Sequence, residues 1–365
     1  MSGPGSRSSQ ESHRTAVKST PKRKVEKSED VIPVVILNWN GEHDTLECLQ
    51  SIKRSVPAGF VPVLVDNGSE PESVERLKRA CSVIYRRILF LGERELSGLQ
   101  GGSRTEFSEY LSDDSLVFIQ SAENLGFAKG CNLGIRFADL VGAEWVMLLN
   151  NDTEVSPGAF RELRRFLKTY PSFTAATAQI RYFRPSTRIQ NCGGDLTYFG
   201  SRRYRFANTD ASALPESDFS VVTFVTGCAL LFKYKVTSAL TEDFFFGEED
   251  YEFSMRLRKL GLRMACVHGA VVYHKVGASI ARSSMPLGAI LVHYVARLVN
   301  VRNYYSWARW HTTRILAYLY LPILLARNGI DPRKSISTIQ KIQSYLKRNR
   351  AMGRTEFQSM IMRNG

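Results

Sequence analysis

Short apolar runs alternate with stretches of helical spacing along most of this chain, the pattern of strands joined by helices. Ile32 to Leu37 reads as a buried strand, and Thr45 to Arg54 then sets Leu46, Leu49 and Ile52 on one helical face. Val61 to Val65 is a second strand, halted by Asp66-Asn67-Gly68-Ser69. Pro71 to Ala80 has the composition of the next helix, and proline is tolerated in a first turn. Leu116 to Gln120, Ala128 to Leu140 and Trp145 to Leu149 continue the alternation, and Ser156-Pro157 opens a helix that runs to about Tyr170. Thr174 to Arg181, Val221 to Phe232 and Met264 to Tyr273 read as later strands, with a helix from Glu249 to Leu260 stopped at Gly261. A βαβα opening predicts an α/β fold around a mostly parallel, doubly wound sheet. From about residue 287 the spacing becomes that of long helices. Residues 84–115, with a Gly/Ser cluster at 97–103, read as an insertion or loop.

Charge sharpens this division. The net charge is +14, and residues 281–365 hold 14 Lys/Arg against two acids. Nucleic acid is the first reading of such a basic chain. Here the charge lies among apolar and aromatic residues, with Trp307, Trp310, Tyr318 and Tyr320 between Arg302, Arg309, Arg314 and Arg327. That mixture points to a membrane surface and away from nucleic acid. The apolar run Ile315 to Ala326 falls short of the roughly 20 residues a spanning helix needs. Residues 1–30 are rich in Ser, Lys and Glu without an apolar core segment, so they read as a disordered basic tail rather than a secretory signal. The six cysteines show no CxxC spacing, which argues against a zinc ribbon or a disulfide scaffold and fits a reducing compartment.

Chemistry gathers where strands end. Ligands of open α/β sheets bind at the carboxyl edge, and four polar clusters fall at such places: Asn38-Trp39-Asn40, Asp66, Asn150-Asn151-Asp152, and Glu248-Glu249-Asp250 followed by His274. Asp66 suits the imide N–H of a pyrimidine; otherwise it is a turn residue into Asn67-Gly68. Glu123 to Gly130 is glycine-spaced at a strand-to-helix junction, where backbone amides can face a nucleotide. Asp152 offers oxygen to Mg²⁺ or Mn²⁺, and His274 offers a nitrogen; His268 competes for that role. Glu249 and Asp250 start a helix, where acids are favoured anyway, but beside the apolar Phe244-Phe245-Phe246 they also suit a general base.

Together, Val34 to Asn40, Val65 to Ser69, Glu123 to Ala128, Leu148 to Asp152, Glu249-Asp250 with Gly261, and His274 with Gly277 and Ser279 resemble glycosyltransferase family 2, nearest its rhamnosyltransferase-like branch. The resemblance runs from about residue 31 to 280 and implies a GT-A fold over 31–285, with 286–365 as a basic, aromatic helical extension. It implies an inverting hexosyltransferase of cell-surface polysaccharide synthesis. The donor would be a UDP- or dTDP-linked sugar, rhamnose by branch, and the acceptor a glycan or lipid-linked hydroxyl. By position, Asn38, Asn40, Asp66, Asn124, Gly126 and Asn151 would lie at the donor nucleotide. Asp152 and His274 would hold the divalent cation, with Asn150 in the first position of a variant DxD. Asp250 would be the base, Glu249 its neighbour, and Thr226 and Gly227 would face the acceptor. The cysteine usage and the basic, aromatic pattern lead to the expectation of a cytoplasmic protein with peripheral contact to the inner face of the plasma membrane through 286–330. Three rivals remain at this level, one of them a nucleic-acid binder through residues 281–365. A non-catalytic sugar-nucleotide-binding or scaffolding relative would not need the acids. A Rossmann dehydrogenase would need GxGxxG after the first strand, which Asn38-Trp39-Asn40-Gly41 does not supply.

Overall fold

The computed structural model describes residues 31–55, 59–99, 106–275 and 286–362. The expected tail at 1–30, part of the Gly/Ser cluster, and Gly277 and Ser279 lie outside them. The chain begins β1 (Ile32–Asn38), α1 (Glu42–Arg54), β2 (Phe60–Asn67), α2 (Pro71–Ile84), β3 (Arg87–Gly92), α3 (Glu93–Gly98), β4 (Ser115–Ser121), α4 (Phe127–Leu140) and β5 (Trp145–Asn150). It continues as β6 (Thr153–Val155), α5 (Ala159–Thr169), β7 (Phe173–Tyr182), β8 (Ile189–Asn191), β9 (Gly194–Leu196), β10 (Arg202–Tyr204), β11 (Phe219–Val222), β12 (Ala229–Lys233), α6 (Tyr234–Thr237), α7 (Glu249–Lys259) and β13 (Arg263–His274). Four helices follow: α8 (Leu287–Tyr304), α9 (Trp307–Arg327), α10 (Ser335–Arg348) and α11 (Arg354–Met362).

The main sheet has the order β11-β13-β7-β12-β5-β1-β2-β4-β3. Five strands from β5 to β3 are mutually parallel, so their carboxyl ends share one edge. β12 runs antiparallel to both β5 and β7, and β13 runs parallel to β7. The start of β12 and the end of β13 therefore reach the same edge as Asn38, Asp66 and Asn150. Strand side chains alternate in direction, and each face of the sheet is covered. In β1, Val34 and Ile36 pack with α1, α2 and α5, while Val35 packs with α4 and α7. A third core joins α8 to α11 around Ile290, Val295, Leu321, Leu325 and Ile342.

Three expectations need correction. The described part of residues 84–115 is not irregular throughout: Ile88 to Leu91 lie in β3, an edge strand hydrogen-bonded to β4 and followed directly by α3. The half-exposed edge, flanked by Arg86, Arg87 and Glu93, hides the strand in the pattern. Val221 to Phe232 is two strands, because the chain turns at Thr226-Gly227-Cys228 between β11 and β12. Ser156-Pro157 does not begin a helix until Ala159, since β6 first pairs with β13.

Gly68 fixes the approach of β2 to the segment after β4. Its φ is +72°, and a Cβ there would lie 2.3 Å from the Glu123 carbonyl carbon. Gly261 has a similar φ of +69° with nothing within 4 Å of a built Cβ. Gly68→Ala is therefore expected to cost at least about 2 kcal/mol in urea unfolding, against about 1 kcal/mol for Gly261→Ala. Equal losses would show that backbone strain alone acts at Gly68.

Candidate active site

The first strand ends brace one another. Asn38 donates to Asp66 Oδ2 at 2.7 Å, Ser69 donates to both Asp66 oxygens through its amide and hydroxyl, and Asn38 Oδ1 accepts from Gly41 and Thr45. Asp66 is fully buried, and its carboxylate anchors the turn into Gly68. Asn40 lies exposed at φ +52°, with its side-chain oxygen accepting from Glu70 N. The loop Glu123 to Phe127 is braced from within as well. Its amides do not face open space: Leu125 N donates to Asn67 Oδ1, Gly126 N to Asn124 Oδ1 and Phe127 N to the Phe245 carbonyl. Gly126 is required because a Cβ there would lie 2.2 Å from that carbonyl oxygen. Asn38, Asp66, Asn124 and Gly126 thus form a frame behind the site.

In front of the frame is a slot of about 280 Å³ lined by Trp39, Phe127, Asn150, Asn151, Asp152 and Phe246 among others. Trp39, 57% exposed, offers a flat face at its mouth. Asn151 is steadied by its bond to Thr45 Oγ1. Phe127, Asn150 and Phe246 also line a second cavity of about 450 Å³, which holds Thr226, Gly227, Glu249, Asp250 and His274. The two spaces adjoin across Asn150, and Asp152 and His274 stand at their junction.

His274 Nε2 lies 3.2 Å from Asp152 Oδ1. Its Nδ1 is 2.9 Å from Gln190 Oε1, a contact that makes Nδ1 the donor and turns Nε2 toward Asp152. Burial works to raise the Asp152 carboxyl, but the His274 bond and charge and the charge of Lys275 outweigh it and hold it below the usual range. Ligand atoms in neighbouring positions of a six-coordinate ion with bonds near 2.1 Å sit about 3 Å apart, so this pair fits two positions around Mg²⁺ or Mn²⁺. His268 is excluded from that role: it is buried elsewhere between the Ser217 carbonyl and Ser220 Oγ. Among the described residues one cluster of three ligand-type side chains occurs, His43, Asp44 and Glu47, and Lys275 already supplies its cation by bonding Asp44 and Glu47.

The acids at 248–250 belong to a helix start rather than a strand end. Glu248, at φ +70°, is the cap residue of α7 and is buried. Arg297 grips it with two bonds of 2.6 and 2.9 Å, Arg202 donates at 3.0 Å, and His293 Nδ1 is 3.1 Å away. Burial would raise its carboxyl, yet the two arginines hold it well below the usual range. Asp250 accepts longer bonds from Arg202 at 3.4 Å and from Gly227 N at 3.3 Å. Burial pushes its carboxyl up, Arg202 pulls it back, and the result stays above the ordinary value. Glu249 is also raised, by burial and then by the charge of Asp250, and its Oε2 is buried without a hydrogen-bond partner.

The acids were visible in the sequence, but Arg202, Gln190, His293 and Arg297 were not singled out. No spacing links them to the site, because β10, β8 and α8 meet α7 and β13 only in three dimensions. The raised Glu249 carboxyl gives a checkable consequence. A group whose folded pKa exceeds its unfolded value favours folding at low pH and loses that contribution as pH rises. Glu249→Gln is therefore expected to gain stability over the parent between pH 5 and pH 8 by at least about 1.4 kcal/mol, one pKa unit. A difference that does not change with pH in urea titrations would contradict the assignment.

Residues 104–285 match the family model described as glycosyltransferase like family 2. The low-salt glycan biosynthesis hexosyltransferase Agl10 of Haloferax volcanii is 30% identical over 102 residues, covering 28% of this chain. The match spans only 30% of that relative's own length. Among solved structures, GalNAc-T7 with UDP, GalNAc and Mn²⁺ superposes with a TM-score of 0.53 at 12% identity, over 88% of this chain and 58% of that one. The likeness is one of fold, and it agrees with the expected GT-A arrangement. A mannosyltransferase from Pyrobaculum calidifontis, in complex with GDP-Man and Mn²⁺, is a looser likeness: TM-score 0.48, 14% identity, 87% of this chain and 75% of that one.

Proposed function

We propose that this chain, which carries a glycosyltransferase family 2 domain, moves a sugar from a nucleotide-diphospho-sugar to an acceptor hydroxyl with inversion. The observation that carries the reading is the junction itself. A slot with an aromatic mouth meets a cavity with two raised carboxyls, and an Asp–His pair of metal-ligand spacing stands where they join. Trp39 suits stacking on a uracil or thymine ring, Asn40 lies exposed beside it, and Asn151 offers its amide along the slot. A divalent cation held by Asp152 and His274 would neutralise the charge that develops on a departing diphosphate. The Mn²⁺ bound to GalNAc-T7 is consistent with that assignment.

Asp250 is the base of this scheme. Its weak bonds to Arg202 and Gly227 N orient it while leaving lone pairs for a substrate hydroxyl, and its raised carboxyl moves toward the operating range of a base. Glu249, kept neutral by the same burial, adds no second charge to repel the donor phosphates. Thr226 and Gly227 form the acceptor side, with the Gly227 amide fixing Asp250. The acceptor is a glycan or lipid-linked hydroxyl of surface-polysaccharide type, and the α8–α9 region is the surface that meets a membrane. Among the described residues no helix is long and apolar enough to cross one.

A thermal-shift panel of UDP- and dTDP-sugars, dTDP-rhamnose included, with and without Mn²⁺, tests the scheme together with product analysis. At least one donor is expected to stabilise the protein in a Mn²⁺-dependent way. Asp152→Asn should remove the Mn²⁺ dependence. Asp250→Asn should keep the donor shift and lower transfer by at least about 100-fold. Equal loss of binding and transfer in Asp250→Asn would remove it as the base. A donor shift without turnover in the parent would favour the non-catalytic relative.

A further inference from the structure

A third cavity, of about 530 Å³, lies between α8 and α9, outside the nucleotide slot and the acid-lined cleft. Its walls are mainly apolar: Ile290 and Leu298 from α8, Leu316, Ala317 and Leu324 from α9, and Phe199 from the β9–β10 turn. Soluble helices turn their apolar stripe inward. α9 does not, for Ile315, Leu316, Leu319, Tyr320 and Ile323 are 41–68% exposed at spacings of one helical face. Of its 21 residues only Thr313, Leu321 and Leu325 are buried. Leu316 and Tyr320 belong to both the exposed stripe and the cavity wall, so the cavity opens on the apolar face.

The other end of the cavity reaches the residues that hold the catalytic helix. Arg297 lines it and grips Glu248, while Gly200 lines it and accepts from Tyr251 and Arg297. Ser201 lines it and precedes Arg202, the partner of Asp250. A space that is apolar at the outer face and polar beside the residues that hold Glu248 matches an amphiphile, chain outward and head toward Arg297 and Ser201. The surroundings also fit an anionic lipid surface as its source, since residues 281–365 carry 14 Lys/Arg against two acids.

We propose that the α8–α9 cavity is the binding slot for the alkyl or prenyl chain of an amphiphilic acceptor whose sugar head lies at the Phe199–Ser201 rim. The assignment rests on the transferase reading for the meaning of the head group, but chain binding can be measured without any donor. The full chain is titrated with octyl, decyl and dodecyl maltoside below their micelle concentrations, with maltose as the chain-free control. Affinity is expected to rise about tenfold for each two methylenes, and maltose alone should not bind measurably. Ala317→Trp should abolish the chain-length dependence by filling the slot, and the milder Ala317→Leu should weaken dodecyl maltoside at least about fivefold while the protein stays folded. Leu319→Lys, on the exposed stripe but outside the cavity wall, should leave maltoside binding unchanged and reduce flotation with phosphatidylglycerol vesicles. Binding that ignores chain length, or that falls with Leu319→Lys and not with the Ala317 variants, overturns the slot. In the same samples, a donor thermal shift without chain binding would sink the slot alone. Chain binding without any donor shift would sink the transferase reading and leave the slot standing.

Discussion

Glu248 is the buried anion around which this molecule closes. It receives Arg297 from α8 and Arg202 from β10, lies against His293, and its carbonyl accepts from Asn300. His293, Arg297, Asn300 and Tyr304 recur at helical spacing, so one face of α8 reads α7 along its first turns; Tyr304 reaches Glu252. A buried ion loses several kcal/mol of hydration, and removing one of its partners typically costs about 3–5 kcal/mol. That penalty makes the arrangement close to all-or-none. The left-handed backbone at Glu248, an additional cost of about 1–2 kcal/mol, is held only because the cluster over-determines it.

The two residues after Glu248 are the acid pair, so the helical region does more than pack on the sheet domain. It sets where α7 begins, and hence where Glu249 and Asp250 point. The end of the chain reinforces the same place. Phe245 donates its amide to the Met352 carbonyl and packs its ring 5.2 Å from Phe357, while its own carbonyl accepts from Phe127. The apolar wall beside the acids is thereby tied to α11 on one side and to the glycine-spaced loop on the other. Burial raises both carboxyls, and the charge of Arg202 pulls Asp250 back.

The parallel half of the sheet was legible because β1, β2, β4 and β5 are buried on both faces and read as apolar runs. The strand ends at Asn38, Asp66, Asn150 and His274 were legible for the same reason: polar residues stand out against such runs. What those residues do was less legible. Asp66 and Asn124 also brace their own turns, because a strand end must satisfy its backbone as well as any ligand. The edge strand β3 was hidden by exposure, and β10 by its length of three residues. Arg202 and Arg297 were out of reach of any local pattern, since each meets Glu248 across more than forty residues of chain.

The coupling between α8 and the start of α7 is what holds the helical region to the sheet domain. The most direct measurement is a double-mutant cycle on unfolding free energy with Glu248→Gln, Arg297→Gln and the pair combined. A coupling of about 2 kcal/mol or more between the two positions is expected. Effects that add to within about 0.5 kcal/mol would show that the cluster does not bind the helical region to α7.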